Sequence, residues 1–214
     1  NSRNILKSII KNHLNKDTSL IIFNKLKEQV FYNKNTLIYL CIENNNNSIL
    51  NTIHIDDKIN KKKIEKIILD NYNHKYIDNE ILLTLFNKCK LLDNINFTYD
   101  YLKLLINNND KILFNNAIDH IYKLDEKYIK NIEKKIKYYI SEFIINDRLQ
   151  NGDIYDWYFL EWLNLKINNI NILEDNIEII RHQLNTGIPN VNFLYWYLGQ
   201  DNKVLEKSEI EESL

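Results

Sequence analysis

The sequence predicts an all-α fold of about twelve short helices stacked as antiparallel hairpins, either α-solenoid-like or as an irregular helical bundle, without a β-sheet. Three observations lead to this prediction. Apolar residues recur at three- and four-residue spacing, Gly and Pro number only 3 and 1 among 214 residues, and short Asn- and Asp-rich junctions separate the apolar segments. Sheet proteins need Gly and Pro in their many turns, whereas helix pairs can turn on Asn, which tolerates the left-handed conformation at helix ends.

The first part of the chain contains apolar stripes at helical spacing. The predicted elements are Arg3–Leu14, Thr18–Val30, Asn35–Asn44, a short helix or turn at Ser48–Ile53, and Asn60–Asn71. Asp17 is expected to cap the second helix. The third is apolar nearly all round, which predicts that it is buried.

Four consecutive helices follow, and the rest of the fold is organised around them. They are Asn79–Leu91, Tyr99–Asn107, Lys111–Tyr122 and Lys127–Ile144. Asp78 and Asp125 are expected to cap the first and fourth, and Thr98 or Asp100 to open the second. Beyond the turn signal Asn151-Gly152, Asp153 caps the first of the last three predicted helices, Ile154–Ile167, Asn171–Leu184 and Val191–Leu198.

This rhythm predicts one helical-repeat domain over residues 1–200, with a candidate sub-boundary near 148–153. Residues 201–214 contain Glu206, Glu209, Glu211 and Glu212 and are expected to form a frayed acidic tail. The formal charge of −1 provides no global field towards nucleic acid or acidic lipid. The excess of Asn, Ile, Lys and Tyr is typical of an A/T-rich genome, so the Asn runs are given little functional weight.

The stretch Thr36–Asn44 resembles the first helix of an ankyrin repeat. Tyr39 stands where that family has His, Asn45 where it has Gly, and Ile49-Leu50 at the aliphatic pair of its second helix. Weaker matches start near Glu80 and Asn115.

The same region is also similar to pentatricopeptide repeats. Asn35–Cys41 and Leu113–Ile118 resemble the first helix of that family, and the 35-residue step from Leu82 to Ala117 fits its period. Both resemblances imply a stack of helical hairpins.

The sequence indicates no enzyme chemistry. It contains no Gly-rich phosphate loop, no C-x-x-C and no H-E-x-x-H, so we predict no catalytic residue, no cofactor and no metal site. Asp153, Asp156 and Glu161 flank tryptophans as paired carboxylates of a glycosidase would, but helix capping is the simpler interpretation. Cys41 and Cys89 lie on apolar faces and are expected to be buried thiols.

Two groups of residues are candidates for binding. An aromatic group is either the core of the last hairpins or a partner-binding surface; it comprises Tyr155, Trp157, Trp162, Tyr195 and Trp196. A lysine group is either a solvated helix face or a set of phosphate contacts; it comprises Lys61, Lys62, Lys63 and Lys66, with Lys134, Lys135 and Lys137.

These patterns favour a non-enzymatic protein-interaction module, or a subunit of a larger assembly, that binds a protein partner. The alternative is an RNA-binding helical-repeat protein, associated with RNA or the ribosome. No apolar run is long enough to span a membrane, and neither a membrane nor DNA is expected as a partner. The expected location is intracellular, in the cytoplasm, and the absence of an initial Met leaves a removed targeting segment open.

Overall fold

A computed structural model describes residues 2–11, 16–27, 33–55, 59–72, 77–168, 170–186 and 190–199. Every regular element in these ranges is a helix, which confirms the predicted all-α class. The chain divides into two compact units, residues 1–98 and residues 99–214. The predicted sub-boundary near 148–153 falls inside the second unit, and the predicted acidic tail lies outside the described residues.

The N-terminal unit consists of short helices that pack on helices one or two places away in sequence. They are α1 (Ser2–Lys11), α2 (Lys16–Lys27), α3 (Lys34–Glu43), α4 (Asn47–Thr52), α5 (Lys61–Tyr72) and α6 (Asn79–Cys89), followed by a 3₁₀ turn at Leu91–Asp93. Helix α1 packs against α2 and α3, and α4 packs against α2, α3 and α6. The fully buried core includes Ile38, Ile49, Ile64, Leu82 and Leu85.

Polar side chains join successive hairpins of this unit. The Asn45 side chain accepts a hydrogen bond from the backbone N–H of Asp78 over 3.0 Å, which ties the α3–α4 turn to the start of α6. The Lys88 ammonium donates to the carbonyls of Leu50 and Ile53 over 3.3 Å each, at the end of α4. A cation is favoured at this end of a helix, where the helix dipole is negative and the last carbonyls point outward.

Helix α7 (Ile95–Asn107) contains the boundary between the units, and the C-terminal unit follows it. Its helices are α8 (Lys111–Ile121), α9 (Glu126–Tyr139), α10 (Ile145–Asn151), α11 (Ile154–Lys166), α12 (Ile172–Asp175), α13 (Ile177–Thr186) and α14 (Val191–Leu198). A π-helical turn, Ile140–Ile144, joins α9 to α10 without a break. Helix α11 packs against α8, α12 and α14, and α10 packs against α13.

Several predicted boundaries need correction. Helix α7 begins at Ile95 rather than Tyr99, because Asn94 accepts a hydrogen bond from the Asn96 N–H over 3.2 Å and so caps the helix. Thr98 is buried within α7, where its hydroxyl donates to the Leu92 carbonyl over 2.9 Å. Opening of this helix by Thr98 or Asp100 was therefore a wrong prediction.

Two other helices differ from prediction in their extent. The helix predicted over Asn171–Leu184 is interrupted at Asn176, and the one predicted to end at Ile144 continues through the π-helical turn to Asn151. Asp17 lies inside α2 rather than ahead of it. The predicted ends of the first two helices, at Leu14 and Val30, fall outside the described residues.

Predicted caps at three helices are confirmed. The carboxylates of Asp78, Asp125 and Asp153 each accept a backbone N–H of the first turn of the helix that follows. Such a bond satisfies a donor that the helix leaves unpaired and typically stabilises it by about 1 kcal/mol.

Candidate interaction surfaces

The start of α11 is fixed by a reciprocal capping arrangement. The Asp153 carboxylate accepts from the N–H of Tyr155 over 2.8 Å and from that of Asp156 over 3.0 Å, while the Asp156 carboxylate accepts from the Asp153 N–H over 2.8 Å. Asp156 is buried, and it also binds Arg148 over 3.3 Å and the Asn109 amide over 2.6 Å. The prediction that Asp153 and Asp156 cap a helix is thus confirmed.

The starts of α11 and α14 meet at Gly152. Asn190 caps α14 by accepting the N–H groups of Asn192 and Phe193. The Asn190 amide also donates to the Gly152 carbonyl over 2.9 Å, directly ahead of α11. The two helices therefore begin side by side, and their first turns lie at the same end of the packed pair.

Two of the predicted aromatic residues are in the core between these helices. Trp157 is fully buried, with its ring centroid 4.7 Å from that of Phe193 and 5.2 Å from that of Trp196. Trp196 is also buried, and its indole N–H donates to the Glu161 carboxylate over 3.2 Å. Trp157 and Trp196 therefore belong to the core of this helix pair.

Helices α11 and α14 also expose large apolar side chains to solvent, on the sides that do not carry the buried aromatic residues. On α14 these are Val191, Tyr195 and Leu198, which are spaced four and three residues apart and so form one stripe. On α11 they are Tyr155, Tyr158 and Leu165. We call these six residues the C-terminal apolar surface. Tyr155 is 75% exposed and Tyr195 70%, so both predicted tyrosines lie on it.

Trp162 is only half-buried and is held by its neighbours. Its ring meets Phe114 edge-on at 5.8 Å and stacks on Phe159 at 5.6 Å. The ammonium groups of Lys111 and Lys166 lie 5.7 and 5.8 Å from the ring centroid. These contacts orient the indole at the edge of the core.

The predicted lysine group is divided between two helices, α5 and α9, and its two parts differ in their surroundings. On α5, Lys61, Lys62, Lys63 and Lys66 are all exposed, and the Lys63 ammonium lies 4.4 Å above the ring of Tyr39. On α9, Lys134 is exposed, whereas Lys135 lies 5.3 Å from the ring centroid of Tyr99 and Lys137 pairs with Asp175 over 2.7 Å. The second part is therefore largely engaged within its own unit.

A further aromatic cluster lies on α7 and α9, and the sequence pattern does not predict it. Tyr99 and Tyr139 meet edge to face at 6.3 Å, and Phe143, in the π-helical turn, lies 5.5 Å from Tyr139. Lys103 lies 4.5 Å above the Tyr99 ring and pairs with Asp100 over 2.9 Å. Burial, the largest single influence, lowers the pKa of Lys103, but the hydrogen bond and charge of Asp100 together with the nearby Tyr99 and Tyr139 outweigh it, so the pKa is raised and the ammonium stays charged.

Both cysteines are buried free thiols, as predicted. Burial raises the pKa of Cys41 to about 12 and that of Cys89 to about 11. Because the thiolate is the reactive form, neither thiol is activated as a nucleophile at neutral pH.

Across the described ranges, no group of three or more His, Cys, Asp or Glu side chains is placed to hold a metal ion. In the same ranges, no helix combines the length and the apolar composition needed to cross a membrane.

Compared with protein-family models, with curated proteins and with solved structures, the chain matches none of them. The fold therefore defines only a class of protein: an all-α protein of many short helices, compatible with a helical repeat. The ankyrin and pentatricopeptide resemblances stay predictions.

Proposed function

We propose that the chain is a non-enzymatic interaction module, or a subunit of a larger assembly, that binds a protein partner through the C-terminal apolar surface. One observation carries the proposal: α11 and α14 bear apolar side chains on their solvent side as well as on their core side. A helix that is apolar all round is normally buried on all sides. Covering by another protein would bury Tyr155, Tyr195 and their neighbours.

The composition of the surface suits protein recognition. Tyrosine offers a large apolar ring and a hydroxyl that can still form hydrogen bonds, and it is enriched among the residues that dominate binding energy. Three of the six side chains are tyrosines, Tyr155, Tyr158 and Tyr195. Large apolar side chains exposed together on two packed helices are the kind of feature that marks an interface.

The surface is also rigidly supported. Asp153 and Asp156 fix the start of α11, Asn190 ties the start of α14 to Gly152, and Trp157 packs between the helices. Side chains on a preorganised backbone lose less conformational freedom on binding, which raises affinity. A partner would therefore meet a formed surface and need not order one.

The partner is expected to present an apolar patch and to carry a net positive charge. Residues 99–214 contain 13 Lys and Arg against 19 Asp and Glu, a net charge of −6. Complementary charge at the rim of an interface speeds association and disfavours wrong partners.

Photo-crosslinking from defined positions tests the proposal. A photoreactive residue replaces Tyr155 or Tyr195 in separate chains, and exposed Asp119 on α8 is the matched control position. In an extract treated with RNase, we expect both tyrosine positions to trap one protein that the Asp119 position does not. The double variant Tyr155→Ser/Tyr195→Ser should then fail to retain that protein while keeping the wild-type melting temperature.

Three results would contradict the proposal. The same proteins could be trapped from all three positions, the double variant could retain the partner, or the tyrosine positions could trap only a second copy of this chain. The last result would assign the surface to self-association instead.

A further inference from the structure

The two compact units carry opposite formal charges. Residues 1–98 contain 15 Lys and Arg against 10 Asp and Glu, a net charge of +5, whereas residues 99–214 have a net charge of −6. The net charge of −1 for the whole chain therefore conceals a basic N-terminal unit. Such an asymmetry along a chain is typical of proteins with a polyanionic partner, because a basic unit attracts polyanions over a long range.

Exposed lysines of the basic unit are concentrated at the start of α5, in Lys61, Lys62, Lys63 and Lys66. We call these four residues the α5 lysine face. Since a helix turns about 100° per residue, Lys62, Lys63 and Lys66 project within roughly 100° of one another. The side of α5 opposite these three lysines buries Ile64 and Ile68, and Lys61 lies exposed at the first position of the helix, adjacent to Lys62.

No carboxylate of the described residues forms an ion pair with the α5 lysine face. Glu65 belongs to the same helix, but it is buried and accepts a hydrogen bond from the Asn94 amide over 3.0 Å. Lys62 and Lys66 are four residues apart, where like charges repel and destabilise a helix. A bound anion would relieve this repulsion.

We infer that the α5 lysine face binds the phosphate backbone of single-stranded RNA. Phosphate charge complements the face, and a flexible single strand can bring successive phosphates onto a short convex helix where a rigid duplex touches fewer points. Contacts to the backbone carry no sequence information, so binding is sequence-independent. The site lies in the other unit from the C-terminal apolar surface and does not depend on the proposed protein contact.

Binding of a labelled 20-nucleotide single-stranded RNA, measured by fluorescence anisotropy between 50 and 200 mM salt, tests the inference. The variant is Lys61→Glu/Lys62→Glu/Lys66→Glu; Lys63 is kept because it lies over Tyr39. Each neutralised phosphate contributes about −0.7 to the slope of log affinity against log salt, so the slope should become shallower by about 2. Affinity at 50 mM salt should fall at least roughly tenfold.

The matched control is Lys123→Glu/Lys127→Glu, which reverses two exposed lysines of the acidic unit that are not among the predicted phosphate contacts. We expect it to change RNA affinity by less than about twofold. Circular dichroism checks that each variant is folded, and Lys61→Gln/Lys62→Gln/Lys66→Gln replaces the charge reversal if that variant unfolds. Absence of RNA binding by the wild-type chain at 50 mM salt would overturn the inference, as would an equal loss in the control or tighter binding to phosphatidylserine vesicles.

Discussion

Asn45 and Asn109 occupy the same position in two copies of one helix-to-helix turn. Both have a left-handed backbone, with φ of 50° and 52°. The residue after each, Asn46 or Asp110, donates its N–H to a carbonyl five residues back over 2.9 Å and caps the next helix with its side chain. This is the Schellman ending, here with Asn in place of the more common Gly.

Replacement of Asn109 separates the two contributions of this residue. Both Asn109→Gly and Asn109→Ala lose the hydrogen bond to Asp156, but the Ala variant retains a Cβ in the left-handed conformation, which Gly adopts without strain. That strain costs about 1–2 kcal/mol, so the Ala variant should be less stable than the Gly variant by this amount. Urea unfolding of both variants measures the difference, and equal stabilities would mean that the turn is not left-handed.

Gly152 is required by close approach of the backbone rather than by its own φ of −68°. A Cβ at this position would lie 2.6 Å from the Arg148 carbonyl oxygen and 2.9 Å from the Arg148 Cα. Because backbone cannot move aside cheaply, we expect Gly152→Ala to lower the free energy of unfolding by about 1–3 kcal/mol. Urea unfolding measures this loss.

Gly199→Ala is the control for Gly152→Ala. The added Cβ there meets the Trp196 carbonyl at 3.3 Å, a tight but tolerable distance. It should cost clearly less than Gly152→Ala, and a similar loss in both variants would contradict the explanation by close approach.

The sequence allowed prediction of the fold class and of most helix positions because those depend on local patterns. Val191–Leu198 was predicted with its observed bounds; in the structure Asn190 caps its start and Gly199 follows its end. The start of α7 was missed because Thr98 has the residue type of a cap while its hydroxyl is used inside the fold. The π-helical turn was missed because Ile140 and Ile144 keep the four-residue spacing of an ordinary helix.

The C-terminal apolar surface was only partly predictable from the sequence for a related reason. Helix α11 is apolar nearly all round, so its sequence does not reveal which side faces α14. Trp157 and Tyr155 were therefore grouped together, although one is fully buried and the other 75% exposed. The spacing of Val191, Tyr195 and Leu198 did contain the signal of a second stripe on α14, distinct from the buried Phe193 and Tyr197.

Truncation of the side chain should destabilise the fold strongly at Trp157 and hardly at all at Tyr195. Trp157→Ala leaves a cavity between α11 and α14 and should cost about 3–5 kcal/mol of unfolding free energy. Tyr195→Ser changes a side chain that is 70% exposed and should alter stability by less than about 0.5 kcal/mol. Thermal or urea unfolding of both variants checks this, and a loss at Tyr195 comparable to that at Trp157 would show that Tyr195 is part of the core.

Burial of the Cys41 thiol should make the free energy of unfolding decrease as the pH rises into the alkaline range. Its pKa is raised from 9.0 to about 12 in the folded protein, so the folded state favours the protonated form. Below pH 9 the thiol is protonated in both states and this stabilisation is fully present; between pH 9 and about 12 only the unfolded chain loses the proton, so stability falls. Urea unfolding at a series of alkaline pH values measures the decline. Cys41→Ala should make that decline shallower, and a variant with the same pH dependence as the wild-type protein would show that the Cys41 thiol does not cause it.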